Sequence, residues 1–80
     1  MEEKIAVVGI IISNKDAVSR INEILHDFAD YIIGRLGLPY KQKDVNVISI
    51  IMDAPQEMVN SLSGKLGMIK GVSSKVLITK

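Results

Sequence analysis

The sequence predicts an α+β fold in which four antiparallel strands form a sheet with two helices on one face. Two observations lead to this prediction. Six segments follow one another in the order strand, helix, strand, strand, helix, strand, which is the pattern of a split βαβ unit. In addition, the first and third strands are apolar on both faces, as expected for strands in the middle of a sheet.

The first half of the chain predicts a strand, a helix and a weaker strand. Val and Ile dominate residues 4–12, a run short enough to favour a strand over a helix. Ser13 or Asn14 offers a cap for the first helix, which has Asp16 in its first turn and ends near Tyr31 after about four turns. Its apolar face comprises Ala17, Ile21, Ile24, Leu25 and Phe28.

The second half predicts a turn, a strong strand, a helix and a last strand. Residues 32–40 are predicted as an edge or bulged strand because Gly34, Gly37 and Pro39 interrupt them. A turn at 41–44 leads into a strand at 45–52. Asp53 is predicted to cap the second helix, with Pro55 in its first turn, and Gly67 to end it in the left-handed conformation. The last strand is predicted at 72–79, and along the second helix the apolar residues recur at helical spacing, at Met58, Val59, Leu62 and Leu66.

Right-handed crossovers place the first and third strands in the centre of the sheet. The side-chain pattern agrees, because these two strands are apolar on both faces whereas the last strand alternates. The order and the pattern together predict a ferredoxin-like βαββαβ sandwich. We expect residues 1–80 to form a single domain of this type.

Two helices cover only one face of a sheet, so one apolar set of strand residues has nothing to pack against in a lone chain. Covering about 300 Å² of such surface contributes roughly 7 kcal/mol per subunit before the entropy of association. We therefore predict a homo-oligomer, a dimer or a tetramer. The candidate interface residues, taken from the two central strands, are Val7, Val8, Ile10, Ile48, Ile50 and Met52.

Composition excludes several classes of protein. The 80 residues contain no Cys, and this excludes disulfides, iron–sulfur clusters and cysteine nucleophiles. A net charge of +1 argues against direct nucleic-acid binding. The acidic start and the short apolar runs lack the features of a secretory leader or a membrane span, so we expect a cytoplasmic protein without membrane contact.

Catalytic and metal-binding signatures are weak in this sequence. The central strands carry no aromatic residue to stack RNA bases. One His and scattered hydroxyls do not make a catalytic triad, so we predict no enzyme and no cofactor. His26 lies near Glu23, Asp27 and Asp30 at helical spacing; these groups form a solvated helix face in the favoured interpretation and a shared cation site in the alternative.

A small ligand has one candidate site at the end of the first strand. Ser13, Asn14 and Lys15 lie where the first backbone N–H groups of a helix can hold an anion or carboxylate. The alternative interpretation is that Ser13 and Asn14 only cap the helix. Gly9, in the middle of the strand, permits close approach by a ligand or a partner and is included in the candidate site. The alternative for Gly9 is that it relieves packing under a helix.

Three segments resemble a known family. Residues 23–27 leading into 32–38, and the ending 66–72, are similar to the C-terminal domain of nickel-responsive regulators. Almost the whole chain resembles the small ACT-like iron-only hydrogenase system regulators. The resemblance implies that residues 1–80 form a single ACT-like regulatory domain. It also implies a ferredoxin-like fold, assembly through sheets and binding of a small effector.

The nickel site is not carried over by this resemblance. That family binds nickel through a helix histidine, a His-x-His pair on strand 2 and a cysteine at the start of strand 3, whereas here the strands have Gly-Arg-Leu-Gly-Leu at 34–38 and Val-Asn at 45–46. No counterpart of its ribbon-helix-helix segment is found, so we expect any control of transcription to act through a partner protein. The leading hypothesis is a non-enzymatic, self-associating sensor; the alternative is a structural or adaptor module that binds another protein through its sheet.

Overall fold

The strands and helices follow one another in the predicted order, over the residues 3–79 that the computed structural model describes. The strands are β1 (Glu3–Ile12), β2 (Ile32–Tyr40), β3 (Val45–Pro55) and β4 (Val72–Ile78). The helices are α1 (Val18–Asp27) and α2 (Gln56–Gly67), and short 3₁₀ helices lie at Lys15–Ala17, Ala29–Tyr31 and Lys41–Lys43. Within residues 3–79, no helix combines the length and the hydropathy that crossing a bilayer requires.

The four strands form one sheet in the order β2-β3-β1-β4, and every neighbouring pair is antiparallel. This confirms the prediction that the first and third strands are central. β2 lies at an edge and is bulged between Ile32 and Gly34, as its glycines and proline suggest. Gly9 in β1 lies between Ser49 of β3 and Lys75 of β4 in the register.

The core lies between the helices and one face of the sheet. The even-numbered residues of the two central strands point towards the helices, and Val8, Ile10 and Ile50 are completely buried. The predicted face of α1 is also buried, and α2 contributes three fully buried side chains. These α2 residues are Val59, Leu62 and Leu66.

The start of α2 differs from the prediction. Asp53 does not cap the helix, because β3 continues to Pro55 and pairs with β1 as far as Glu3. Asp53 therefore lies opposite Ile5 within the sheet, and α2 begins at Gln56 without a side-chain cap. Pairing with a central strand outweighs a single cap, since each further pair adds backbone hydrogen bonds and side-chain contacts.

The end of α2 differs as well. Gly67 is still helical, and the chain passes through Met68 with φ of −84°. The left-handed glycine is Gly71, with φ of +82°. Its carbonyl accepts the backbone N–H of Ser13 at 2.8 Å, so this turn joins the start of β4 to the end of β1.

The first helix is shorter than predicted, because 3₁₀ helices replace its first and last turns. Asn14 caps the first of these: its Oδ1 accepts the N–H of Asp16 at 3.1 Å. The regular helix that follows begins at Val18 and has no side-chain cap of its own.

Candidate functional site

The sheet face opposite the helices is uncovered and apolar. It is formed by the odd-numbered residues of β1 and β3 and by their register neighbours on the edge strands. Large side chains on this face remain in contact with solvent: Ile11 is 50% exposed, Leu36 69% and Leu77 72%. We call this surface the open face; its apolar members are Ile5, Val7, Ile11, Leu36, Leu38, Val45, Val47, Ile51 and Leu77.

A hollow of about 270 Å³ lies on the open face beside Gly9. A Cβ added to Gly9 would meet no atom within 4 Å, so the missing side chain leaves free space above the backbone. Ile11 and Val47 form the apolar wall, and Ser73 and Lys75 stand on the β4 side. The hollow therefore lies where Gly9 lacks a side chain, and the side chains of Ile11 and Val47 rise beside it.

Five of the six predicted interface residues lie on the wrong face. Only Val7, which is 37% exposed, lies on the open face. The other five point into the core beneath the helices and are 0–6% exposed: Val8, Ile10, Ile48, Ile50 and Met52. Their side chains pack within the chain, and the open face is formed by the alternate residues of the same strands.

The predicted ligand residues do not form one site. Ser13 Oγ donates to the carbonyl oxygen of Gly71 at 3.1 Å, and Asn14 caps the 3₁₀ helix, so both side chains have local partners. Lys15 Nζ lies 3.2 Å from Asp44 Oδ1 in an exposed ion pair with the β2–β3 turn. Gly9 lies four residues before Ser13 in sequence, about 13 Å away along an extended chain.

The residues around His26 form a cleft that spacing along the helix does not indicate. His26 lines a cavity of about 390 Å³ together with Asn22 and Arg35, rather than with a set of carboxylates. Within residues 3–79, no three His, Cys, Asp or Glu side chains are grouped to hold a metal ion. One signal was present in the sequence: Arg35 is the single charged residue between Ile32 and Tyr40.

The topology and the uncovered face define the class of protein. A four-stranded antiparallel sheet in this order, with two helices on one face, is a ferredoxin-like βαββαβ fold. The sequence model of the family described as "TM1266-like: Iron-only hydrogenase system regulator, putative" matches residues 4–76, and the chain belongs to that family.

A solved structure supports the same assignment. The uncharacterized protein TM1266 from Thermotoga maritima is 30% identical in sequence and superposes with a TM-score of 0.94. The match covers 99% of this chain and 100% of TM1266. No curated protein sequence matches the chain.

Proposed function

We propose that this protein is a non-enzymatic regulatory module of an iron-only hydrogenase system that acts by self-association through its open face. The observation that carries the proposal is the uncovered apolar surface on β1 and β3, which are the central strands of the sheet. A contiguous apolar surface of several hundred Å² on a small protein usually marks a contact site. The family description, which names a regulator, supports a role in control rather than in catalysis.

The size of the open face is adequate for a pair of subunits. Four strands about 4.8 Å apart and seven residues long cover a rectangle of about 19 by 23 Å, or about 440 Å². Because side chains roughen this surface, two copies packed face to face bury more than about 900 Å², close to the lower limit of specific interfaces at about 1,200 Å². A two-fold dimer is the simplest closed arrangement of this kind.

The charges on the open face suit a second copy of the chain. Lys75 lies on β4 beside Gly9, and Asp53 lies on β3 beside Ile5. A surface that carries both signs can be placed against itself so that opposite charges approach, whereas a face of one sign repels its copy. In the alternative, the chain is an adaptor whose open face binds a protein of different sequence. The mass of the purified protein in solution separates the two proposals.

A small effector that binds at this interface would change the assembly if it favoured one state over the other. Of the predicted ligand residues, Gly9 is the one on the open face, beside the hollow of about 270 Å³. An occupant of the hollow would contact both subunits of a face-to-face pair. We therefore propose that such a ligand regulates the equilibrium between the monomer and the assembled form.

The proposal is tested by measuring the mass of the purified protein in solution. Light scattering and sedimentation of the wild type at about 100 µM are expected to give a dimer or a tetramer. Val7→Lys places an ammonium group among the apolar side chains in the middle of the open face, where a partner would take it out of water. We expect the dissociation constant of the assembly to rise at least about 100-fold, because a charge buried in an apolar contact costs roughly 3–5 kcal/mol.

The matched control is Met68→Lys. Met68 is 87% exposed but follows α2, away from the open face, so this variant adds the same charge without touching the proposed interface. It should keep the mass of the wild type. A monomeric wild type at this concentration would contradict self-association and leave the adaptor alternative.

A further inference from the structure

A cleft separates α1 from the edge strand β2 on the helix side of the sheet. Two cavities, of about 390 and 220 Å³, lie on either side of Asn22 and Arg35. The cleft is open at one point because β2 has a glycine where the central strands carry side chains into the core. Gly37 lies on this side, opposite Ile48, and a Cβ there would meet no atom within 4 Å.

A guanidinium group is held between the two cavities. Arg35 Nη2 donates a hydrogen bond to Asn22 Oδ1 at 3.2 Å. Among residues 3–79, no carboxylate lies within ion-pair distance of Arg35. A guanidinium has five N–H donors in a planar fork, so one neutral acceptor leaves most of them free. Asn22 thus orients a cation that has no counter-charge in the described chain.

The larger cavity combines this cation with an apolar wall. Leu25, Ala29 and Ile32 line it on one side, and the imidazole of His26 contributes a further polar group. We propose that the cleft binds a small organic carboxylate, with its oxygens on Arg35 and its aliphatic part against this wall. Guanidinium and carboxylate match in a bidentate geometry that fixes orientation as well as adding affinity. The site lies on the opposite side of the sheet from the open face and does not depend on self-association.

The charges around the cleft also predict which carboxylates are excluded. Neither cavity is lined by an Asp or Glu side chain among the residues that the structure describes. The ammonium group of an amino acid, which is attached next to its carboxylate, would therefore lie near the Arg35 guanidinium without meeting a negative charge, and the two cations would repel each other. Consequently, 4-methylpentanoate should bind more tightly than leucine, which has the same skeleton with an added ammonium.

The test is a titration followed by ¹H–¹⁵N correlation spectra of the full chain. 4-Methylpentanoate is expected to shift the amide signals of Asn22, His26 and Arg35 in a saturable manner, with leucine binding at least about fivefold more weakly. Inorganic phosphate, which lacks an aliphatic part, should bind the same residues more weakly than 4-methylpentanoate. Arg35→Gln should weaken the binding of 4-methylpentanoate at least about tenfold.

Arg20→Gln is the matched control, since Arg20 lies on α1, as Asn22 does, but pairs with Glu23 at 3.8 Å. It removes the same charge and should leave the affinity unchanged. Equal losses in the two variants, equal affinity for leucine, or no saturable shift in these three residues would each overturn the proposal. The spectra of the variants report whether they are folded, and the comparison of ligands on the wild type does not depend on any variant.

Discussion

Replacing Leu62 by alanine is expected to lower the free energy of unfolding of the protein by about 2–5 kcal/mol. Leu62 is completely buried on the inner face of α2, against the sheet. The substitution removes apolar contacts and leaves a cavity that the rigid sheet fills only in part. An 80-residue protein has roughly 4–12 kcal/mol of stability in total, so a large share of it is lost. Urea unfolding followed by circular dichroism measures the change.

Leu77→Ala is the matched control, because it makes the same substitution on the open face, where Leu77 is 72% exposed. Both variants are best compared in an Ile51→Lys background, which disfavours self-association at an open-face position that does not neighbour Leu77. In that background Leu77→Ala should change the free energy of unfolding by less than about 0.5 kcal/mol. Similar losses in the two variants would contradict the assignment of the core to the helix side of the sheet.

Gly71→Ala is expected to cost about 2–4 kcal/mol, for two reasons that act together. The backbone of Gly71 has φ of +82°, where a side chain is strained. In addition, an added Cβ would lie 2.6 Å from Cβ of Asn14, so the loop after β1 would have to move. Since the Gly71 carbonyl accepts two hydrogen bonds from Ser13, that movement would also weaken the link between β1 and β4. Thermal unfolding measures the loss.

Gly64→Ala serves as the control for Gly71. Gly64 lies inside α2 in the exposed part of the helix, and its Cβ would meet no atom within 4 Å. Alanine is the better helix former, so this variant should gain roughly 0.5–1 kcal/mol. A destabilised Gly64→Ala, or a Gly71→Ala as stable as the wild type, would show that the conformations of these two glycines are wrongly assigned.

Much of the fold could be predicted from local patterns. The bounds of β2 at residues 32–40 follow from the end of the first helix near Tyr31 and the turn at 41–44, and the structure has the same bounds. The buried face of α1 follows from helical spacing, and Ile21, Ile24 and Leu25 are buried as predicted. The order of the strands follows from the handedness of the crossovers. Each of these inferences uses neighbours within a few residues, or a rule that holds for nearly all sheets.

The two ends of α2 were harder to predict because the sequence offers more than one residue suited to begin or end a helix there. Asp53 is a good cap in isolation, yet its pairing with Ile5 keeps it in β3. Gly67 and Gly71 both suit a left-handed turn, and only Gly71 adopts one, where its carbonyl reaches Ser13 across the sheet. Such choices depend on contacts between residues about 50 apart in the sequence.

The candidate sites, too, could be predicted from local patterns only in part. Alternation along β1 and β3 was sufficient to predict that one apolar face lacks a cover, but both faces are so apolar that nothing local distinguishes them. The direction in which the chain leaves β1 for α1 decides which side the helices occupy, and it exposes Val7 while burying Val8.

By itself, the sequence determined the order of the elements, the central position of β1 and β3 and the existence of two apolar sheet faces, because each of these depends on short-range periodicity. Only the tertiary structure decided which face is open and brought Asn22 against Arg35. The physical reason is that both outcomes depend on how whole elements pack, and packing is settled by the shape and burial of many side chains at once.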